Sequence, residues 1–370
     1  MQTSGHQKHA LLTKPQGGQY HRYEFALLGA PCGKIEQLVD GIQQHLGPST
    51  RIGYVDAKHQ AVAPEKPNLH RHLIDKIAFR QVNLHGDQHT HLYRPLLSET
   101  DFMLINGNHF VARQQVVLLS SAKKESLRRK LDRLGEVIAF VQDDEEVYDF
   151  LREAIPHWAD LPLFPLHDPA ALADFLQQAV RPAPIKGLVL AGGKSQRMGR
   201  DKGAISYHGK AQREHMADLL SELTEETYLS VAPGTQVESQ YPLLEDRFLG
   251  LGPFGGLLTA FQRDPNAAWL VVACDQPLLQ QRHLRLLLEQ RETYRVATCF
   301  HNPDTRFPEP LMTLWEPKAY SVLSQFLTRG YSCLRKVLIN ASVREIEVED
   351  HSFMLNVNTP EEYRSLTVRR

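Results

Sequence analysis

Residues 187–203 read GLVLAGGKSQRMGRDKG. An apolar run of strand character enters Gly192 and Gly193 directly, and Arg197, Gly199 and Lys202 follow closely. Glycines placed straight after a parallel strand let the backbone approach a phosphate, with N–H groups aimed at its anionic oxygens. Arg197 and Lys202 supply cations suited to a triphosphate. An ordinary strand–helix turn accounts for two glycines and one lysine but not for the whole spacing. Further on, VVACDQPLL (271–279) ends an apolar strand in Asp275. Ligands of α/β sheets bind at such carboxyl ends, and a carboxylate there suits a Mg2+ ion held against nucleotide phosphates. The plainer alternative for Asp275 is a capping aspartate before Pro277.

A second glycine loop, LLGAPCGKIEQLV (27–39), nearly spells the phosphate-binding pattern G-x-x-x-x-G-K-[ST]. Gly29 and Gly33 enclose only Ala30, Pro31 and Cys32, and Ile35 stands where a hydroxyl should meet magnesium. Lys34 could still reach a phosphate, but a scaffold that keeps a residual turn is the preferred reading. Two histidine-rich stretches, LHRHL (69–73) and HGDQHTH (85–91), lack acidic or cysteine partners recurring at ligand spacing and read as exposed loop histidines.

Both loops need sheets to hold them. A chain of 370 residues accommodates two domains. Asp168 and Pro169 start a helix whose apolar positions end at Val180, and Pro182 and Pro184 cannot continue it, so a boundary falls at about residue 182. Strand-like runs occur before it (YEFALL, STRIGYVD, DFMLIN, QVVLL, EVIAFV) and after it (IKGLVLA, TYLSVA, AWLVVAC, YRVATCF, SVREIEV). Helical patterns fall between several of them, notably 34–46, 123–134 and 145–155, then after Gly209, Pro253, Leu279, Glu316, Ser332 and Thr359. This alternation predicts α/β architecture: two three-layer domains, 22–180 and 185–370, with mainly parallel sheets. Residues 62–95 fit no element.

The bulk properties exclude several classes. A net charge of −1 offers no global field for nucleic acid. No apolar run is long enough for a membrane span. The first 22 residues lack a secretory apolar core and read as a flexible leader. Four scattered cysteines form no C-x-x-C pair, which favours a reducing, cytoplasmic setting.

The loop at 187–203 resembles that of nucleotidyltransferases with G-x-x-x-R-M-G-x-x-K, specifically the molybdenum cofactor guanylyltransferases. The likeness continues through LLEDRFLGLGPFGGL (243–257), VVACDQPLL and NVNTPEEY (356–363), in the family's order. It implies a Rossmann-like nucleotidyltransferase fold for the second domain. The implied reaction transfers GMP from GTP to the phosphate of molybdopterin, releasing pyrophosphate, with Mg2+. Leu190, Ala191, Gly192 and Gly193 would line the nucleotide, together with Gly252. Lys202 would neutralise charge at the α-phosphate, and Arg197 would steer the phosphates. Asp246 would contact the nucleoside, Asp275 would hold the metal, and Asn356 and Asn358 would face the pterin. Gly252, Gly255 and Gly256 would admit a purine close to the backbone, or merely turn the chain. Asn356, Asn358 and Thr359-Pro360 also read as a plain helix start.

One departure from the family is Pro233, where an asparagine often contacts the nucleoside. The Leu-Ala-Gly-Gly loop start favours guanine over cytosine. The first domain resembles, with eroded motifs, the P-loop GTP-binding adaptor proteins of the same pathway, through 27–39, IGYVDAKHQ (52–60) and LINGNHF (104–110). It is therefore expected to be a degenerate P-loop-like α/β domain. Other readings keep the fold and transfer CMP to molybdopterin or a nucleotide to a sugar phosphate, or make the chain a non-catalytic cofactor-binding or delivery protein. Molybdoenzymes or cofactor chaperones are the partners the resemblance implies; nucleic acid and membrane are not expected.

Overall fold

The computed structural model describes residues 12–58, 71–84, 93–192, 202–206 and 208–357, with the Lys202 side chain excepted. Two units emerge, Gly17–Arg181 and a second from Pro182 onward that also takes in residues 12–16.

In the first unit β1 (Glu24–Leu28), α1 (Cys32–Leu46) and β2 (Ile52–Val55) are followed by a hairpin of β3 (Arg71–Asp75) and β4 (Arg80–Leu84). Then come α2 (Arg94–Leu97), β5 (Phe102–Asn106), β6 (Gln114–Leu119), α3 (Lys124–Arg128), β7 (Glu136–Gln142), α4 (Asp149–Ala154), β8 (Leu163–Pro165) and α5 (Pro169–Ala179). The main sheet runs β2-β5-β1-β6-β7-β8, and every pairing in it is parallel. Alternation along the strands sorts its side chains between two helical layers. Phe25, Leu27, Val116 and Leu118 pack with Ile35, Ile42, Leu172 and Leu176 of α1 and α5. Leu28, Val117 and Leu119 pack with Leu127 and Leu151 of α3 and α4. Both α3 and α4 are shorter than their apolar patterns predict, because each pattern includes irregular turns.

The second unit contains β9 (Ile185–Leu190), α6 (Gln212–Ser221), β10 (Glu226–Val231), β11 (Leu243–Glu245), α7 (Pro253–Arg263), β12 (Ala268–Ala273), α8 (Gln281–Glu289), β13 (Ala297–Asn302), β14 (Phe307–Trp315), α9 (Ala319–Thr328), α10 (Leu334–Asn340) and β15 (Val343–Ile346). Its sheet order is β11-β10-β9-β12-β14-β13-β15. Only β14 runs against its neighbours. Val189, Leu229 and Val272 face α6 and α8, whereas Leu188, Tyr228 and Trp269 face α7, α9 and α10. The helix expected after Thr359 lies outside the described residues.

The leader expectation needs correction over residues 12–21. The Gln16 N–H donates to Asn266 Oδ1, and Asn266 Nδ2 donates to the Lys14 carbonyl at 3.2 Å. The N–H groups of Gln19, Tyr20 and His21 converge on the carboxylate of Glu24, which is buried. Polar backbone that finds such acceptors is held in place without any apolar pattern to announce it.

Candidate active site

The strand order reverses at β9, which lies between β10 and β12, so the loop leaving Leu190 opens at a topological switch point. This is where the sequence places its working glycine loop. The Ala191 N–H donates to the Ser230 carbonyl at 3.0 Å, continuing the β9–β10 ladder by one step. Gly192 then passes so close to β10 that an added Cβ would sit 3.2 Å from the Ala232 nitrogen. Gly193 and Arg197 lie outside the described residues. Lys202 begins a short helical turn, Lys202–Ala204.

On the β10 side, the Asp246 N–H donates to the Val231 carbonyl at 2.9 Å, and Ser230 Oγ donates to Asp246 Oδ1 at 2.7 Å. Burial raises the Asp246 carboxyl above its ordinary value, against the pull of the Ser230 hydrogen bond. The three glycines of the Gly-Pro turn have different tasks. Gly252 has φ 57° and caps α7, and an added Cβ there would meet nothing within 4 Å among the described residues. A Cβ on Gly255 would lie 2.2 Å from the Phe248 carbonyl oxygen. One on Gly256 would lie 2.6 Å from Ser230 Oγ and 2.9 Å from Leu190 Cδ2. Gly252 therefore borders open space, while Gly255 and Gly256 let α7 pack tightly against the strand ends. Pro233 also has a local explanation. Thr235 N–H donates to the Ala232 carbonyl at 3.1 Å and Gly234 has φ 73°, so Pro233 and Gly234 fill the central positions of a tight turn.

On the β12 side, Asp275 leaves the strand end, and its carbonyl accepts from the Val357 N–H at 2.7 Å. That bond brings Asn356 alongside. Asn356 Oδ1 is buried and has no hydrogen-bond partner among the described residues. Asn358 lies outside them. Sequence reasoning missed Glu309, which is 2% exposed. The antiparallel register pairs Val272 with Met312, and carried onward it sets Glu309 across from Asp275. Burial pushes the Glu309 carboxyl up and the Asp275 charge adds to this; Leu311 N–H, Arg335 and Asn302 work the other way. The signal was an acidic residue within an otherwise apolar stretch, FPEPLMTLW.

The central strand thus ends between two carboxylates, Asp246 on one side and Asp275 on the other. Among the described residues no group of three or more His, Cys, Asp or Glu forms a metal cage. Mg2+ does not require one, because it is commonly bound by one or two carboxylates together with substrate phosphates. Asn356, next in the chain to the residue that bonds the Asp275 carbonyl, has a side-chain oxygen with no partner among the described residues, which suits that mode.

A sheet that reverses order in this way places a ligand site at the carboxyl ends of its strands, beside the glycine loop. Residues 187–345 match the MobA-like NTP transferase domain family. A Carboxydothermus hydrogenoformans protein named "Probable molybdenum cofactor guanylyltransferase" is 30% identical over 185 residues, which cover 48% of this chain and 92% of the relative. The chain belongs, through its C-terminal half, to the molybdenum cofactor guanylyltransferase family. A Synechocystis "Molybdenum cofactor biosynthesis bifunctional protein" is 37% identical over 188 residues, and the match spans only 54% of that protein. The Pseudomonas putida molybdenum cofactor guanylyltransferase is 29% identical over 187 residues, covering 95% of its length. Among solved structures, molybdopterin-guanine dinucleotide biosynthesis protein A from Archaeoglobus fulgidus aligns over 50% of this chain and 100% of its own, at 21% identity and a TM-score of 0.41.

The resemblance of the first unit to a GTP-binding adaptor finds no counterpart in these matches. At its near-P-loop, Asn108 Oδ1 accepts from the Gly29 N–H at 3.3 Å and Asn108 Nδ2 donates to the Ala30 carbonyl at 2.8 Å. Lys34 is engaged by Asp143 at 2.5 Å.

Proposed function

We propose that this protein transfers GMP from GTP to the phosphate of molybdopterin, yielding the guanine dinucleotide and pyrophosphate. The observation that carries the proposal is the placement of Asp246 and Asp275 on opposite sides of the β9 end, where the glycine loop begins. Each then has a separate task. Asp246, oriented by Ser230, accepts from donor groups of the nucleoside beside the open face of Gly252. Asp275 and Asn356 supply oxygen ligands for Mg2+, which neutralises phosphate charge when bound. Lys202 and Arg197, as the family likeness implies, meet the phosphates from the loop. Little covalent chemistry falls to the protein in such a transfer; it positions the reactants and stabilises charge.

The first unit, in this proposal, binds no nucleotide phosphate, because Asn108 occupies the loop's polar groups and Asp143 holds Lys34. Molybdoenzymes or cofactor chaperones as acceptors, and a cytoplasmic location, belong to the same proposal. The test incubates the full chain with molybdopterin, Mg2+ and each nucleoside triphosphate in turn, following pyrophosphate and the dinucleotide. Product with GTP that is abolished by Lys202→Ala and by Asp275→Ala is expected. Product with CTP but not GTP overturns the choice of base, and no product with any nucleotide overturns the enzyme reading.

A further inference from the structure

The pairing of β12 with β14 ends at Val272 and Met312, although β14 extends back to Phe307. Pro308 and Pro310 have no N–H to offer across the sheet, so the ladder stops short of the strand ends. Polar side chains gather at that end, linked through Asp275. Glu309 is buried and feels the Asp275 charge. Gln276 follows Asp275 directly and is wholly buried, yet neither its amide nitrogen nor its amide oxygen has a hydrogen-bond partner among the described residues. Arg335 Nη2 comes only to 4.0 Å from Glu309 Oε2, and its Nε is buried and unpaired among the same residues. Buried polar groups are ordinarily paired, and leaving them unmet is costly.

The residue types define what meets them. A metal ion would satisfy the Glu309 carboxylate but not the amide N–H of Gln276, and a phosphate would be repelled by Asp275 and Glu309. A neutral planar edge with two adjacent N–H donors beside a carbonyl oxygen suits both side chains. That is the 2-amino-4-oxopyrimidine edge, which guanine and pterins share. The two differ next to the oxo group, where guanine carries an acceptor nitrogen and a reduced pterin carries an N–H. Only the pterin then occupies both polar atoms of Gln276, its amide N–H on the oxo group and its oxygen on the ring N–H.

We propose that Glu309 and Gln276 read the pterin edge of the acceptor, Glu309 accepting from the ring N–H and 2-amino group and Gln276 pairing with the oxo side. This rests on the guanylyl-transfer reading, in which Asp246 on the β10 side serves the nucleoside and the β14 side is left to molybdopterin. The carboxylate is set for that task. Leu311 N–H donates to Glu309 Oε1 at 3.3 Å and Asn302 hydrogen-bonds the same group, which fixes its plane. Each carboxylate oxygen keeps a further lone pair for a ligand. Arg335 beside Oε2 favours the ionised form against the effect of burial.

The test titrates the full chain with 6-methyltetrahydropterin under anaerobic conditions, and separately with guanosine, by calorimetry. Glu309→Gln should weaken tetrahydropterin binding about tenfold or more, and Gln276→Met about fivefold or more. Guanosine affinity should be unchanged in both variants. Gln276→Met exchanges an unmet amide for an apolar chain of similar length, so its denaturant midpoint should not fall, which separates recognition from support of the fold. No tetrahydropterin binding by the parent up to about 1 mM, or an affinity indifferent to both variants, overturns the proposal. Weakened guanosine binding with tetrahydropterin unaffected overturns it as well, by giving the edge to the nucleobase. The expected binding pattern without GTP turnover would sink the transferase reading and leave this assignment standing. Turnover with unaltered tetrahydropterin affinity in both variants would do the reverse.

Discussion

Replacing Gly256 with alanine should destabilise the second unit, although the same change inside an exposed helix stabilises by about 1 kcal/mol through propensity. The added Cβ would stand 2.6 Å from Ser230 Oγ and 2.9 Å from Leu190 Cδ2. Leu190 can give a little at its methyl. Ser230 cannot, because its hydroxyl is tied to Asp246 at 2.7 Å and the residue is buried. Losing a hydrogen bond to a carboxylate costs about 1.5–3 kcal/mol, and overpacking adds about 1–3 kcal/mol. Set against the propensity gain, the net cost is about 1.5–5 kcal/mol. Denaturant unfolding followed by Trp269 and Trp315, in a Trp158→Phe background, isolates this unit from the first. Ser230→Ala removes both the clashing oxygen and the bond that would be lost. In that background Gly256→Ala should cost less than about 1 kcal/mol, a coupling of roughly 2 kcal/mol. Gly255→Ala is the control, because its clash is with the Phe248 backbone carbonyl and Ser230→Ala should not relieve it. A coupling near zero, or a Gly256→Ala protein more stable than its parent, refutes the reasoning.

The remaining expectations bear on charge. Asp246→Asn keeps an oxygen for Ser230 but removes a carboxylate whose folded-state pKa is raised by burial above its ordinary 3.8. The parent therefore loses stability as pH climbs from 3.8 through the folded-state value, and the variant does not. The variant should unfold at higher temperature near neutral pH, with the difference closing in acid, while GTP turnover falls; parallel pH–stability curves would contradict this. Glu309→Gln removes a negative charge across from Asp275, so the Mg2+ concentration for half-maximal turnover should rise roughly fivefold, about 1 kcal/mol of screened attraction. An unchanged Mg2+ requirement would detach Glu309 from the site. Lys34→Ala breaks an ion pair whose lysine is 40% exposed and screened by solvent, so it should change stability little and leave GTP turnover unchanged. A large loss of turnover would show a working nucleotide site in the first unit.

Much of the fold was legible because buried parallel strands read as unbroken apolar runs, as in AWLVVAC and DFMLIN, and because Asp168-Pro169 and Gly252-Pro253 mark helix starts. The hairpin of β3 and β4 was not, since Leu73, Phe79 and Val82 remain exposed and give no burial pattern. β14 was missed because Pro308 and Pro310 argue against a central strand. The irregular register of β13 against β14 begins just where Pro308 pairs with His301. With that strand went Glu309, whose meaning depends wholly on which residue faces it across the sheet. The roles of Gly255 and Gly256 were equally hidden. A glycine that admits a ligand and one that admits a neighbouring strand look alike until the opposing atoms are placed.

The two glycine loops make the same point about function. Both leave a strand at which their sheet reverses order, so topology alone cannot say which of them handles a nucleotide. The difference lies in what meets the loop's polar groups. Near the end of β9, and among the described residues, an added Cβ on Gly252 meets nothing within 4 Å and the Asn356 Oδ1 has no hydrogen-bond partner. Beside β1, the Asn108 amide takes the Gly29 N–H and the Ala30 carbonyl, and Asp143 takes Lys34. Ile35, at the position of the missing hydroxyl, is wholly buried among Phe25, Leu38 and Leu172. A hydroxyl restored there would enter an apolar core and lack a partner, at a cost of about 1–3 kcal/mol. The departure from the phosphate-binding motif is therefore not a single lost residue that one substitution could repair. The loop's groups are engaged by its neighbours throughout, with Asn108 across its polar groups and the Cys32 sulfur at the head of its helix.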